Sequence, residues 1–68
     1  QNTIIIPPVS IGEGCVIKNS VVVPNVAIGE HTILDQVIVK DSIIGAYSNL
    51  NEIVLDKDID VNTIIGTN

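Results

Sequence analysis

The sequence predicts an all-β domain in which short parallel strands wind into a solenoid, and three observations support this prediction. The composition is 46% hydrophobic with Tyr47 as the only aromatic residue, and most apolar side chains are Ile and Val, which favour strands. Aliphatic residues recur every five or six positions, and equivalent residues recur again after 16 or 17 positions. A chain that returns to equivalent positions at such intervals forms a solenoid, in which each coil hydrogen-bonds to the next.

Each of the eleven repeat units begins with an aliphatic residue and has an aliphatic or small residue four positions later. The first positions are Ile5, Ile11, Ile17, Val22, Ile28, Leu34, Val39, Ile44, Leu50, Leu55 and Val61, and the fifth positions are Val9, Cys15, Val21, Val26, Thr32, Ile38, Ile43, Ser48, Val54, Ile59 and Ile65. Neither a helical period nor simple hairpin alternation explains this pattern, so we expect both positions to point inward. We expect the same of the four five-residue units, 17–21, 34–38, 39–43 and 50–54.

Three units per turn place the first positions in three columns, one for each face of the solenoid. The columns are Ile11, Ile28, Ile44 and Val61; Ile17, Leu34 and Leu50; and Ile5, Val22, Val39 and Leu55. Eleven units then form about three and two-thirds coils, with the strands of adjacent coils about 4.8 Å apart.

The residues that follow the first column indicate where the chain turns. They are Gly12, Gly29, Gly45 and Asn62, residue types that tolerate a positive φ, so we expect tight corners at these positions. The same alignment places Gly14, His31, Tyr47 and Ile64 in one outer row.

Charge and cysteine content exclude several classes of function. Three basic and eight acidic residues give a net charge of -5, which repels phosphate backbones and anionic lipids, so we expect neither nucleic acid nor a membrane as a partner. The longest apolar runs contain three residues, too few for a membrane span or a signal peptide, so we expect a soluble chain. Cys15 is the only cysteine, which excludes an intrachain disulfide and favours the cytoplasm.

Units 11–16 and 28–33 read IGEGCV and IGEHTI, and they resemble the hexapeptide repeat of left-handed parallel β-helices. Segments 7–12 (PPVSIG), 18–22 (KNSVV) and 41–45 (DSIIG) resemble the C-terminal region of nucleoside-diphosphate-sugar pyrophosphorylases, in particular those similar to glucose-1-phosphate thymidylyltransferase. The resemblance implies a single-stranded left-handed β-helix over residues 1–68, as a fragment of a larger protein.

The resemblance also implies a function. In these pyrophosphorylases an N-terminal domain performs catalysis and holds magnesium, so we expect no catalytic, cofactor-binding or metal-binding residue in this chain. The β-helix region would mediate homo-oligomerisation or regulate the catalytic domain. The alternatives are a fragment of a hexapeptide acyltransferase, whose active site lies between subunits, and a stand-alone structural module.

Individual residues that could support chemistry are better explained without it. His31 is the only histidine and cannot form a three-histidine metal site within one chain. Asp56, Asp58 and Asp60 alternate as at the start of a calcium loop, but the glycine and glutamate that the loop requires are missing. Cys15 aligns with small inward residues, which indicates a buried and inert thiol.

The aliphatic residues outside the two inward positions predict a partner surface. Val37 and Ile53 occupy equivalent places in adjacent coils, and we expect them to form an exposed apolar strip between subunits. We add Tyr47 and His31 as candidate interface residues. The outer pairs Ile6 with Val23 and Val16 with Ile33 also align between adjacent coils, so we expect at least one outer strip to be apolar and continuous.

Overall fold

A computed structural model describes residues 2–66, in which all the regular structure is β-strand. The strands are β1 (Ile4–Ile5), β2 (Val9–Ile11), β3 (Val16–Lys18), β4 (Val21–Val22), β5 (Val26–Ile28), β6 (Ile33–Val39), β7 (Ile43–Ile44), β8 (Asn49–Leu55) and β9 (Ile64–Ile65). All pair in parallel with strands of adjacent coils, so the chain forms a parallel β-solenoid of about four turns. The predicted all-β fold class is confirmed.

The solenoid has three faces, because β6 and β8 each pass around a corner and contribute to two of them. Face 1 consists of β2, β5 and β7. Face 2 consists of β3, residues 33–35 of β6, residues 49–51 of β8, and β9. Face 3 consists of β1, β4, residues 37–39 of β6 and residues 53–55 of β8.

The predicted columns form the core. Strand pairing aligns their members coil by coil, and the described core residues are Val22, Val26, Ile28, Leu34, Val37, Val39, Ile44, Leu50, Leu55 and Ile59. Ile5 and Ile11 belong to the same columns but are exposed, because within residues 2–66 the first coil pairs with a neighbouring coil on one side only.

The fourth coil is shorter than predicted. Ile59, and not Val61, bridges to Ile44 and completes the first column, while Val61 is exposed. The peptide N–H of Asn62 donates to the carbonyl of Ala46, so Asn62 continues the row of Tyr47, which we had predicted for Ile64. Equivalent residues of the third and fourth coils are therefore closer in sequence than the 16 or 17 positions that separate them in the earlier coils. The repeat interval of the earlier coils could not predict this shortening.

The prediction for the five-residue units is wrong. Their fourth residues are the inward ones: Ser20, Val37 and Ser42 are buried, and Ile53 is half-buried against the core. Their fifth residues, Val21, Ile38, Ile43 and Val54, lie on the outside, and three of these are exposed. Through the first three coils, the second inward position lies two residues before the first position of the next unit. The five-residue units therefore lack a residue ahead of their second inward position.

Of the four residues predicted to have a positive φ, only Asn62 has one, with a φ of 58°. The positive φ angles lie at rows that include Gly14, His31, Tyr47 and Asn62 on one corner and Asn2, Asn19, Gln36 and Glu52 on another. Gly12, Gly29 and Gly45 have no positive φ. Glycine is required at these positions because the backbone of the next coil leaves no room for a side chain. A Cβ on Gly29 would lie 2.5 Å from the backbone nitrogen of Ala46 in the next coil.

Candidate interaction surface

Val37 and Ile53 are aligned as predicted, but they do not form an exposed strip. The two residues pair in register between β6 and β8. Val37 is 0% exposed and Ile53 packs against the core, so the prediction that both lie on an outer face is wrong. Both follow a corner residue with positive φ, Gln36 and Glu52, and this corner turns the next side chain inward.

The exposed strip is one residue further along the chain. The described residues Ile4, Val21, Ile38 and Val54 form an aliphatic row along face 3, one in each coil, and we call this row the aliphatic ladder. Ile38 is 49% and Val54 73% exposed, and Val21 is half-buried. The sequence analysis placed Val21, Ile38 and Val54 inside, because it took the fifth residue of each unit as the inward one. The inward residue is instead the one two positions before the start of the next unit.

A second outer row on face 3 begins apolar and ends charged. Backbone hydrogen bonds align Ile6, Val23 and Lys40, because the N–H of each donates to the next coil. Ile6 is exposed and Val23 half-buried, so the prediction that this pair lies on the outside is confirmed. Face 3 therefore has two apolar rows over its first coils and a charged side at Lys40.

His31 and Tyr47 lie away from face 3. Their rings stack with centroids 5.3 Å apart and an interplanar angle of 21°, and both side chains are exposed. The two residues occupy the corner between faces 1 and 2, which is opposite face 3 in the triangular cross-section. The structure thus separates the four residues that we predicted as one interface.

The other candidate residues occupy structural positions. Cys15 is half-buried, and its thiol lies 3.1 Å from the carbonyl of Gly29, to which it donates. The Asp58 carboxylate accepts the backbone N–H of Ile43 at 3.0 Å. Among residues 2–66, no three His, Cys, Asp or Glu side chains come together as a metal site would require.

Face 1 has an open depression of about 410 Å³. Its lining residues are Pro8, Val9, Ser10, Asn25, Val26, Ala27 and Ile43. The outward residues of β2 and β5 at its centre, Ser10 and Ala27, are small, which leaves a hollow beside the exposed Ile43. The lining has no charged side chain and no pair of groups that could exchange a proton with a substrate.

The part of the chain that the structure describes has no helix with the length and hydrophobicity of a membrane span.

Comparison with known proteins gives one family. Neither the curated proteins nor the solved structures include a match to the sequence. The family model described as "GlmU-like, C-terminal hexapeptide" matches residues 1–44, which is more than half of the chain. Together with the parallel solenoid, this match shows that the chain belongs to the GlmU-like C-terminal hexapeptide family.

Proposed function

We propose that this chain is the non-catalytic β-helix region of a sugar-nucleotide pyrophosphorylase, a nucleotidyltransferase, and that it joins subunits of that protein. The family supports the position of the chain, since it describes a C-terminal hexapeptide region. Catalysis and magnesium then belong to a separate domain. The left-handed winding of the coil is part of the same proposal.

The aliphatic ladder is the observation that supports association most directly. Its members are spaced by one coil, about 4.8 Å, so they present a straight apolar row to a partner. The exposed parts of the ladder and of Ile6 amount to on the order of 400 Å², which is the size of the largest apolar patch on a typical monomer, and patches of this size are often functional. On an otherwise acidic chain, water-exposed aliphatic rows of this kind mark a contact with another protein.

The occupant that we propose is a second copy of the chain. A standard interface removes about 800 Å² from each partner, and the ladder with its flanking residues supplies roughly half of that as apolar area. A polar rim is expected to supply the rest. Lys40 continues the outer row of Ile6 and Val23 with a charged side chain, which is suited to such a polar rim.

The oligomeric state tests this proposal. We expect the chain to sediment as a homo-oligomer at micromolar concentration, and the double variant Ile38→Lys, Val54→Lys to sediment as a monomer with its β signal intact. The matched control is Ile43→Lys with Ile64→Lys, which places two lysines at exposed aliphatic positions of faces 1 and 2. A monomeric parent chain, or equal effects of both double variants, would contradict association through face 3.

The single thiol supports a cytoplasmic location as part of the same proposal. Cys15 is half-buried and has no second cysteine with which to form a disulfide in the chain. We place the protein in the cytoplasm, where thiols stay reduced. Fractionation of the producing cell, with recovery in a membrane or exported fraction, would contradict this location.

A further inference from the structure

The corner between faces 1 and 2 carries the only histidine and the only aromatic residue of the chain. We use the term aromatic corner for His31 and Tyr47, whose stacked rings are both exposed, Tyr47 to 55%. The imidazole also rests against the preceding coil, since a Cβ on Gly14 would lie 2.5 Å from its Nδ1 atom. The glycine therefore leaves room for the imidazole, and the imidazole in turn supports the phenol ring.

The backbone of Tyr47 is unfavourable for a side chain of this size. Its φ of 61° lies in the left-handed region, where a bulky residue is an outlier. The equivalent residues of the first and fourth coils are Gly14 and Asn62, which adopt this conformation at lower cost. Because the ring stays exposed, packing within the chain does not compensate for this strain. A bulky residue held in such a conformation on the surface indicates a contact with a ligand.

Two glutamates flank the rings. The backbone N–H of His31 donates to the carbonyl of Glu13 at 2.9 Å. The N–H of Tyr47 donates to the carbonyl of Glu30, also at 2.9 Å, and Glu30 directly precedes His31 in the chain. Both glutamates are exposed, and they lie one coil apart, about 4.8 Å. The surface at this corner therefore combines aromatic rings with two carboxylates.

Among residues 2–66, none of the basic side chains lies at the aromatic corner. The three lysines lie on face 2, on face 3 and in the segment between β8 and β9, at Lys18, Lys40 and Lys57. The chain itself thus supplies no cation next to these two carboxylates. The charge of the corner is complementary to a basic partner.

We propose that the aromatic corner binds an arginine side chain of another polypeptide. A guanidinium is planar, stacks on aromatic rings and donates two parallel hydrogen bonds to a carboxylate, so it matches both the rings and the glutamates. A lysine ammonium matches the charge alone. Residues 1–68 contain no arginine, so a second copy of them cannot supply it. The corner is opposite face 3, and the proposal does not depend on association through the aliphatic ladder.

The open position of the corner determines how strongly it binds. Contacts of a cation with exposed rings and exposed carboxylates are individually weak. For a short peptide at low salt we expect a dissociation constant of about 1 mM. Added salt should weaken this binding, because it screens charges at the surface.

The first test locates the contact by NMR. An isotope-labelled chain is titrated with the peptide acetyl-Gly-Arg-Arg-Gly-amide, and with a control peptide in which neutral, planar citrulline replaces both arginines. We expect the arginine peptide to shift the amide signals of Glu30, His31 and Tyr47, and the citrulline peptide to leave them in place. Unchanged signals with the arginine peptide, or equal shifts with both peptides, would overturn the proposal.

The second test separates the two glutamates from the overall acidity of the chain. We expect Glu13→Gln with Glu30→Gln to weaken binding of the arginine peptide roughly fivefold. The matched control is Glu52→Gln with Asp56→Asn, which removes the same charge from exposed positions away from the corner. Equal weakening by the two double variants would mean that net charge alone attracts the peptide, and the proposal would be wrong.

The third test concerns the ring of Tyr47. Tyr47→Phe keeps the ring and should retain the affinity for the arginine peptide within about twofold. Tyr47→Asn removes the ring at a φ that asparagine tolerates, and should weaken binding roughly threefold without loss of thermal stability. Undiminished affinity in Tyr47→Asn would exclude a role for the ring and overturn the proposal.

Discussion

At the scale of single residues, Ile28 is the strictest test of the inward columns. It is buried on face 1 between Ile11 and Ile44, and its neighbour two positions on, Glu30, is exposed at the following corner. A carboxylate at position 28 would lie in the core without a partner, at a cost of roughly 3 kcal/mol or more. We expect Ile28→Asp to unfold the chain and Glu30→Lys to leave its stability nearly unchanged. Thermal melts followed by circular dichroism compare the two, and similar melting temperatures would show that the columns are misassigned.

Strained corner residues give a second prediction at this scale. Glu52 has a φ of 54°, in the left-handed region where a glutamate is disfavoured and asparagine is better tolerated. We expect Glu52→Asn to raise the free energy of unfolding by about 0.5 to 1 kcal/mol. The control is Glu30→Asn, at an exposed position without a positive φ, where no gain is expected. Denaturant unfolding measures both, and a loss of stability at position 52 would contradict the argument from strain.

At the scale of the strand, neighbouring residues of β6 have opposite environments. Val37 is fully buried, and Ile38 is exposed on the aliphatic ladder. We expect Val37→Asp to abolish the cooperative unfolding transition, whereas Ile38→Asp should change the free energy of unfolding by less than about 1 kcal/mol. Both variants carry the same new charge, so the comparison isolates the direction of the side chain. A chain that tolerates Val37→Asp better than Ile38→Asp would restore the register predicted from the sequence.

The strands show how far sequence reasoning reaches and where it fails. The first positions of the units were identified correctly through three coils, because an aliphatic residue stands there every time and strand pairing aligns them. The second inward position was assigned wrongly in units such as 34–38, where Val37 and Ile38 are both aliphatic. Hydrophobicity does not distinguish two such neighbours. The positive φ of Gln36 determines which of the two side chains points inward, and a positive φ cannot be predicted from a glutamine in the sequence.

Buried serines explain why the inward position was assigned wrongly in other five-residue units. In the segment Ser20-Val21-Val22, the hydrophobic choice for the inward position is Val21, but Ser20 is the buried residue. Its hydroxyl donates to the carbonyl of Lys18 at 2.7 Å and accepts the N–H of Val37 at 3.2 Å. A small hydroxyl with both hydrogen-bonding functions satisfied is inexpensive to bury. Only the structure shows that these partners are within reach.

At the scale of the whole molecule, the sequence predicted an outer apolar strip but not its place. The aligned pair Val16 and Ile33 is exposed as expected, on face 2. The ladder on face 3 was missed because its location depends on the turn at each corner. His31 and Tyr47 were predicted as interface residues together with Val37 and Ile53, and the triangular cross-section places them at the corner opposite face 3.

The basic groups of the molecule do not converge on any face. The chain has three basic residues, all lysines. Lys18 lies 4.0 Å from the Asp35 carboxylate on face 2, Lys40 belongs to the outer row of face 3, and Lys57 lies in the segment between β8 and β9. All three side chains are solvent-exposed. A site that binds a triphosphate gathers positive charge around it, and these lysines are dispersed over separate parts of the solenoid.

This distribution leads to the last prediction, that the chain alone does not catalyse nucleotidyl transfer. The reaction needs a metal ion and cationic or backbone donors around the transferred group, because charge builds up on its oxygens in the transition state. The segment Gly12-Glu13-Gly14 lacks the further glycine and the basic residue of a phosphate-binding loop, and its carboxylate would repel the phosphates. We expect no exchange of labelled pyrophosphate into any nucleoside triphosphate when the purified chain is given magnesium and a sugar nucleotide. Exchange above the rate of a heat-denatured sample, abolished by removal of magnesium, would contradict the assignment of catalysis to another domain.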